Sequence, residues 1–188
     1  MRPQKVSDQQ LIKRMLVVLR AKGYDGSSMN ELALAGGLKK ASLYHRFPGG
    51  KEELAKCVLD SYAADLEQNV FKVLVKRKAK PKKRLKKALG NIRILYNEGA
   101  RNCLYRSLSM ESGLALFGEQ IAMNCKQWIR TFTILGRDLG FKKKKAKRLA
   151  LDVLLKVQGS LVLANIFNDP KPFQDVLEEI SSEYGVKN

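Results

Sequence analysis

GYDGSSMNELALAGGLKKASLYHRFPGGKEEL, residues 23–54, decides how the chain is read. Ser28-Met29-Asn30-Glu31 sets a hydroxyl three residues before a carboxylate, the spacing at which each satisfies a free N–H at a helix start. That predicts a helix from about Met29 to Gly36. Gly36-Gly37 forces a sharp turn, and a second short helix covers about Lys40 to Phe47 before Pro48-Gly49-Gly50 stops it. A further helix starts at Lys51, with Glu52 and Glu53 well placed in its first turn. Two short helices joined through a tight, glycine-containing turn have helix-turn-helix spacing.

Successive residues of a helix step by about 100°. Leu43 and Phe47 then share one side and are expected to pack with Leu32, Leu38 and Leu54. Ala41, Ser42 and His45 face the other way, with Lys40 and Tyr44 at one edge and Arg46 at the other. That outer face offers a hydroxyl, an imidazole, a phenol and cations, and no carboxylate. Such a set suits phosphate and base-edge contacts in a major groove. A solvated amphipathic helix has the same pattern, so the charge of the whole chain bears on the choice.

That charge is large. Thirty-six Lys and Arg against 18 Asp and Glu give a formal net charge of +18, which favours a polyanionic partner such as nucleic acid or an acidic membrane surface. Cys57, Cys103 and Cys125 are widely separated and form no CxxC, so they predict small buried apolar residues in a reducing compartment and no zinc site. The N-terminus shows no apolar signal core, and no apolar run is read as a membrane span, so the expected location is cytoplasmic. His45 is the single histidine and lies on the presumed duplex face. With no GxSxG, no phosphate-cradling glycine loop and no metal-ligand spacing, neither an enzyme nor a cofactor is expected.

The pattern elsewhere is helical throughout, giving an all-α chain of about nine helices. Ser7 and Gln10 form another capping-box spacing ahead of Leu11, Ile12, Met15, Leu16 and Leu19, and Gly23 suits a left-handed cap. Beyond the head, Pro81 opens a helix with Leu85, Leu89, Ile92 and Tyr96 on one face. A short helix is read at about 104–112, another at about 119–139, a long mostly apolar one up to Phe167, and a last amphipathic one after Pro170 and Pro172. The expected division is a helix-turn-helix head over 1–50, a connecting helix over 51–75, and a larger helical domain over 76–188. Two basic runs, KRKAKPKKRLKK at 76–87 and KKKKAKR at 142–148, read either as solvated surface or as phosphate-attracting surface.

Gly23-Tyr24, Ser28, Leu32-Ala33, Gly37-Leu38, Leu43-Tyr44-His45, Phe47-Pro48 and Lys51-Glu52-Glu53-Leu54 form a set. This set resembles the DNA-binding head of TetR-family transcriptional regulators. Its Pro-Gly-Gly-Lys element is similar to a branch that includes lincomycin-resistance and flavonoid-sensing repressors, as are Asn102-Cys103-Leu104 and Gln158–Leu163. The resemblance implies a homodimer whose heads dock in the major groove of a palindromic double-stranded DNA operator. It also implies a C-terminal domain that dimerises through its last two helices and binds a small-molecule effector that releases the DNA. By position, Ser28, Tyr44, His45 and Lys51 would contact phosphates, with Lys40, Ala41 and Ser42 close to bases or backbone. A pocket between the fifth and eighth helices would be lined by Tyr96, Cys103, Met110, Trp128, Phe132 and Gln158, most of which, taken one by one, read rather as plain core residues.

Two positions depart from the family's pattern. Lys39 stands where a capping serine is common, which weakens the cap by ~1 kcal/mol but adds a cation within reach of phosphate. Gly36 stands where alanine is usual, so the first of the two helices is expected to fray early. The alternative function, a nonspecific basic nucleic-acid-binding protein, accounts for the charge but not for the Tyr-His face.

Overall fold

The computed structural model describes residues 6–186, and among these there is no strand. The helices are α1 (Asp8–Lys22), α2 (Met29–Gly36), α3 (Lys40–Arg46) and α4 (Gly50–Leu66), which runs on through a π-helical stretch, Glu67–Phe71, and a last α-turn, Lys72–Val75. They continue with α5 (Pro81–Leu95), α6 (Leu104–Leu108), α7 (Glu111–Asp138), α8 (Lys143–Phe167) and α9 (Lys171–Glu183). The chain divides into two compact units. The first holds the residues up to Ala63 with Leu104–Ile121, and the second holds Ala64–Cys103 with the residues from Ala122 onward.

In the first unit both capping boxes are formed. Gln10 N donates to Ser7 Oγ at 3.3 Å, and Glu31 N donates to Ser28 Oγ at 3.2 Å. These caps start α1 and α2, whose inward residues Leu11, Met15, Leu19 and Leu32 are fully buried with Leu43, Leu54 and Val58. The α6 region closes this core from far along the chain. Ser107 Oγ donates to Arg20 O at 2.7 Å, Tyr105 stands edge-on to Tyr62 at 5.0 Å, and Phe117 stands edge-on to Tyr24 at 5.5 Å.

Two glycines differ from the sequence expectation. Gly23 has φ 70° but ψ −170°, so it is an extended mirror-image residue rather than a left-handed cap. Gly36 does not fray: it stays helical and buried, its carbonyl accepts from Arg14 Nη1 at 3.0 Å, and Gly37 provides the left-handed cap at φ 69°, ψ 32°. A Cβ on Gly36 would lie 2.7 Å from Leu11 Cδ1 and 2.8 Å from Met15 Cε, so glycine lets α2 press onto α1.

The second unit is built on aromatic contacts. Phe71 meets Trp128 edge-on at 6.0 Å, Trp128 stacks on Phe132 at 5.5 Å, and Tyr184 stands against both Phe132 and Phe141. Lys156 joins α8 to α9 through Glu179 at 2.8 Å and Glu183 at 2.5 Å. Three sequence expectations need correction here. First, α7 begins at Glu111 rather than near 119, because Gly113 and Gly118 mask the periodicity of its first turns. Second, α8 does contain a window long and apolar enough to cross a membrane, at a mean hydropathy of 1.5. Part of that apolar surface, including Val153, Val157 and Leu161, is core. Third, only Cys103 of the three free cysteines is buried; Cys57 and Cys125 are half-buried.

The second capping box carries a pH signature. Hydrogen bonding from Lys22, then from the Ser28 N–H and hydroxyl, holds the Glu31 carboxyl down to about 2. The unfolded chain protonates this group at about pH 4.3. The folded pKa is depressed, so the stabilisation is complete above the unfolded value and is lost as pH falls from there towards 2. Urea unfolding across that range should show the wild type losing stability with acid faster than Glu31→Gln. Parallel curves for the two proteins would contradict this.

Candidate nucleic-acid interface

Leu43 and Phe47 fix α3 to the core, at 0% and 7% exposure. Leu38 is only half-buried. The opposite side of the helix is open: Lys39, Lys40, Ala41, Ser42, Tyr44 and His45 are all exposed, Tyr44 at 43%. No acidic residue occurs in α3, and the nearby Glu53 is engaged, accepting from Gly49 N at 2.7 Å. Lys39 makes no capping hydrogen bond, so the first N–H groups of α3 are not claimed by its side chain. The result is a short rigid element with a positive outer face of short or stiff hydrogen-bonding groups. Such a face can meet phosphates and base edges without first displacing its own carboxylates.

Arg46, at the edge of the same helix, turns back instead. Its Nη1 donates to Val6 O at 3.0 Å and to Asp8 Oδ1 at 3.3 Å, tying the C-terminus of α3 to the start of α1. Ser28 sits at the start of α2 with its hydroxyl in the capping box, donating to Glu31 Oε2 at 3.0 Å.

Lys51 is placed differently from the rest. Its Nζ donates to Tyr24 O at 3.1 Å and Ser27 O at 3.3 Å, and lies 4.1 Å from the Tyr24 ring centroid. Tyr24 in turn rests on Phe117. The ammonium therefore clamps the α1–α2 turn and so sets the N-terminus of α2. Neutralising a phosphate contact lowers the salt slope of DNA binding by about one, whereas losing a clamp weakens binding without that change. Lys51→Met is expected to reduce affinity and leave the slope of log K against log salt unchanged. A slope lower by about one would put Lys51 on a phosphate. This clamp was not visible in the sequence, because Phe117 lies far from Tyr24 along the chain and no local pattern joins them.

The second unit assembles most of the expected small-molecule residues. Cys103 Sγ accepts from Tyr96 Oη at 3.6 Å and from Gln158 Nε2 at 3.4 Å. Burial, and then Cys103, push the Cys125 thiol up, and Cys125 lies on α7 one turn before Trp128. Trp128 and Phe132 form the stacked pair on that helix. Trp128 is 3% exposed and its Nε1 has no hydrogen-bond partner among the described residues. Met110 lies in the first unit at 59% exposure, so its expected lining role is not supported by its placement.

Residues 11–58 match the model of the bacterial regulatory proteins of the tetR family. The chain is 23% identical to the uncharacterised HTH-type transcriptional regulator YxaF of Bacillus subtilis, covering 87% of each. It is 25% identical to the HTH-type transcriptional repressor DhaR of Mycobacterium sp., covering 90% of this chain and 87% of the relative. Its fold is similar to the crystal structure of a TetR transcriptional regulator from Legionella pneumophila, with a TM-score of 0.79, 20% identity, and 97% and 98% of the two chains covered. With the helix-turn-helix head, the open α3 face and the all-helical architecture in place, residues 11–58 carry the DNA-binding head of the bacterial tetR-family regulators, and the chain as a whole is similar to HTH-type transcriptional regulators.

Proposed function

We propose that this protein is a cytoplasmic, ligand-responsive repressor that binds a palindromic operator as a homodimer. The observation that carries the reading is the outer face of α3, where Lys39, Lys40, Ala41, Ser42, Tyr44 and His45 are exposed together on a helix anchored by Leu43 and Phe47. Ser28 at the α2 N-terminus and Lys51 beneath the turn complete the DNA-binding set, Lys51 by holding that turn.

Homodimerisation is supported by α8. Leu151, Leu155 and Ile166 are exposed at 44%, 60% and 67%, and fall on one stripe with Gly159, which has open space before it. A stripe of that kind on a long helix fits a self-complementary two-fold contact. Effector binding is supported by Trp128, whose buried indole N–H lacks a partner among the described residues and lies beside Phe132 and Phe71. Apolar walls with one or two oriented polar groups are the usual make-up of a small-molecule site. Repression, rather than activation, is the role printed in the name of the relative DhaR.

Selection of bound duplexes from a random pool, followed by footprinting, tests this reading. A single palindromic site of one to two helical turns should be protected. Equal affinity for every duplex, with one salt slope for all of them, would contradict it. Trp128 is the chain's only tryptophan, so its fluorescence reports directly on occupation of the proposed effector site.

A further inference from the structure

The two basic runs, 76–87 and 142–148, have no part in the reading above. Together they hold fifteen of the chain's 36 Lys and Arg and no Asp or Glu. They are distant in sequence, yet the second unit brings them to one end. Arg84, near the start of α5 and 3% exposed, donates Nη1 to Leu74 O at 2.7 Å and Nη2 to Asp138 Oδ2 at 2.7 Å. Leu74 lies in the last turn of the α4 rod, and Asp138 is the last residue of α7. One buried guanidinium thus fastens the point where the first run begins to the point where the second run begins.

Every other Lys and Arg of the two runs is exposed. Two carboxylates pair with residues of the runs: Asp138 holds Arg84 at 2.7 Å, and Asp152 lies 3.9 Å from Arg148. Helices α5 and α8 both start within this cluster. Each has a lysine at its cap, no side-chain capping bond and no acidic residue in its first turn. The positive ends of both helix dipoles therefore add to the lysine charge instead of being offset. Like charges so close together repel at physiological salt, where screening acts over about 8 Å. A dense polyanion relieves that repulsion.

The chemistry of the cluster selects among polyanions. Twelve of the fifteen cations are lysines, point charges that suit phosphates and lack the planar fork of a base-reading arginine. None of the large exposed apolar side chains lies within either run, and the intervening Phe141 is half-buried under Lys145, 4.7 Å from its ring centroid. Nothing there resembles the apolar wedge of a membrane-surface helix. We propose that this end of the second unit is a sequence-independent binding surface for the sugar-phosphate backbone of duplex DNA, additional to α3. Such a surface holds the protein on non-operator DNA without base recognition by α3.

The test uses full-length protein with α3 disabled by Lys40→Glu, Tyr44→Ala and His45→Ala, so that it does not depend on operator recognition. Its binding to a random-sequence duplex is measured with and without Lys78→Glu, Lys82→Glu and Lys144→Glu. With these lysines intact, binding should persist at low salt, and reversing them should weaken it by about tenfold or more and flatten its salt slope. Unchanged Trp128 fluorescence and thermal unfolding exclude misfolding of the same unit. Equal duplex binding by the two proteins would overturn the proposal. So would loss, on reversal, of binding to phosphatidylserine-containing vesicles alone, which would assign the surface to an acidic membrane. In the protein with intact α3, the same reversal should leave affinity for a selected operator at physiological salt within about twofold.

Discussion

Gly23→Ala is expected to lower the unfolding free energy by about 3 kcal/mol or more. Two independent features set this size. The backbone at Gly23, φ 70° and ψ −170°, lies in a region that only glycine occupies without strain. A Cβ would also stand 2.6 Å from Ser107 O, a backbone atom that cannot swing aside as a side chain can. Ser107 is tied at the same place by its hydroxyl to Arg20 O, so movement there costs a second hydrogen bond. Urea unfolding read by circular dichroism measures the loss, and a change below about 1 kcal/mol would contradict the close approach of α6 to the α1–α2 turn.

Arg84→Ala is expected to cost about 3–5 kcal/mol, the range for breaking a buried ion pair from one side. The guanidinium is 3% exposed and joins Leu74 O and Asp138 across three helices, while Asp138 itself is 30% exposed and half-solvated. Removal of the arginine leaves the carboxylate and the carbonyl facing each other without a donor. The paired replacement Arg84→Met with Asp138→Leu should recover most of the loss, because two apolar groups of similar volume remove the unpaired charge. Denaturation followed by Trp128 fluorescence distinguishes the outcomes. If both proteins lost the same stability, packing rather than charge pairing would hold this corner.

The head was legible in the sequence because its signals are local. Ser28 and Glu31 mark the start of α2 within three residues, Gly37 its end, and Pro48 follows the end of α3. Angular spacing along seven residues correctly separated buried Leu43 from exposed Ser42 and His45. Features built from distant partners were not legible. Arg84 reads as one more cation in a basic run, and only Asp138, 54 residues away, makes it a buried one. Gly36 looked like a weak point of α2 because its need for contact with Leu11 and Met15 belongs to another helix. The sequence also gave no sign that Leu104–Ile121 belongs to the first unit, since Ser107 and Phe117 meet Arg20 and Tyr24 only in the fold.

The most direct test of the central reading is the affinity of a selected duplex for protein carrying Ser42→Ala, Tyr44→Phe and His45→Ala together. All three side chains are exposed, so thermal unfolding should be unchanged. Loss of several hydrogen bonds to phosphates and base edges should weaken binding by about a hundredfold or more. Wild-type affinity in that variant would contradict the assignment of α3 as the element that reads DNA.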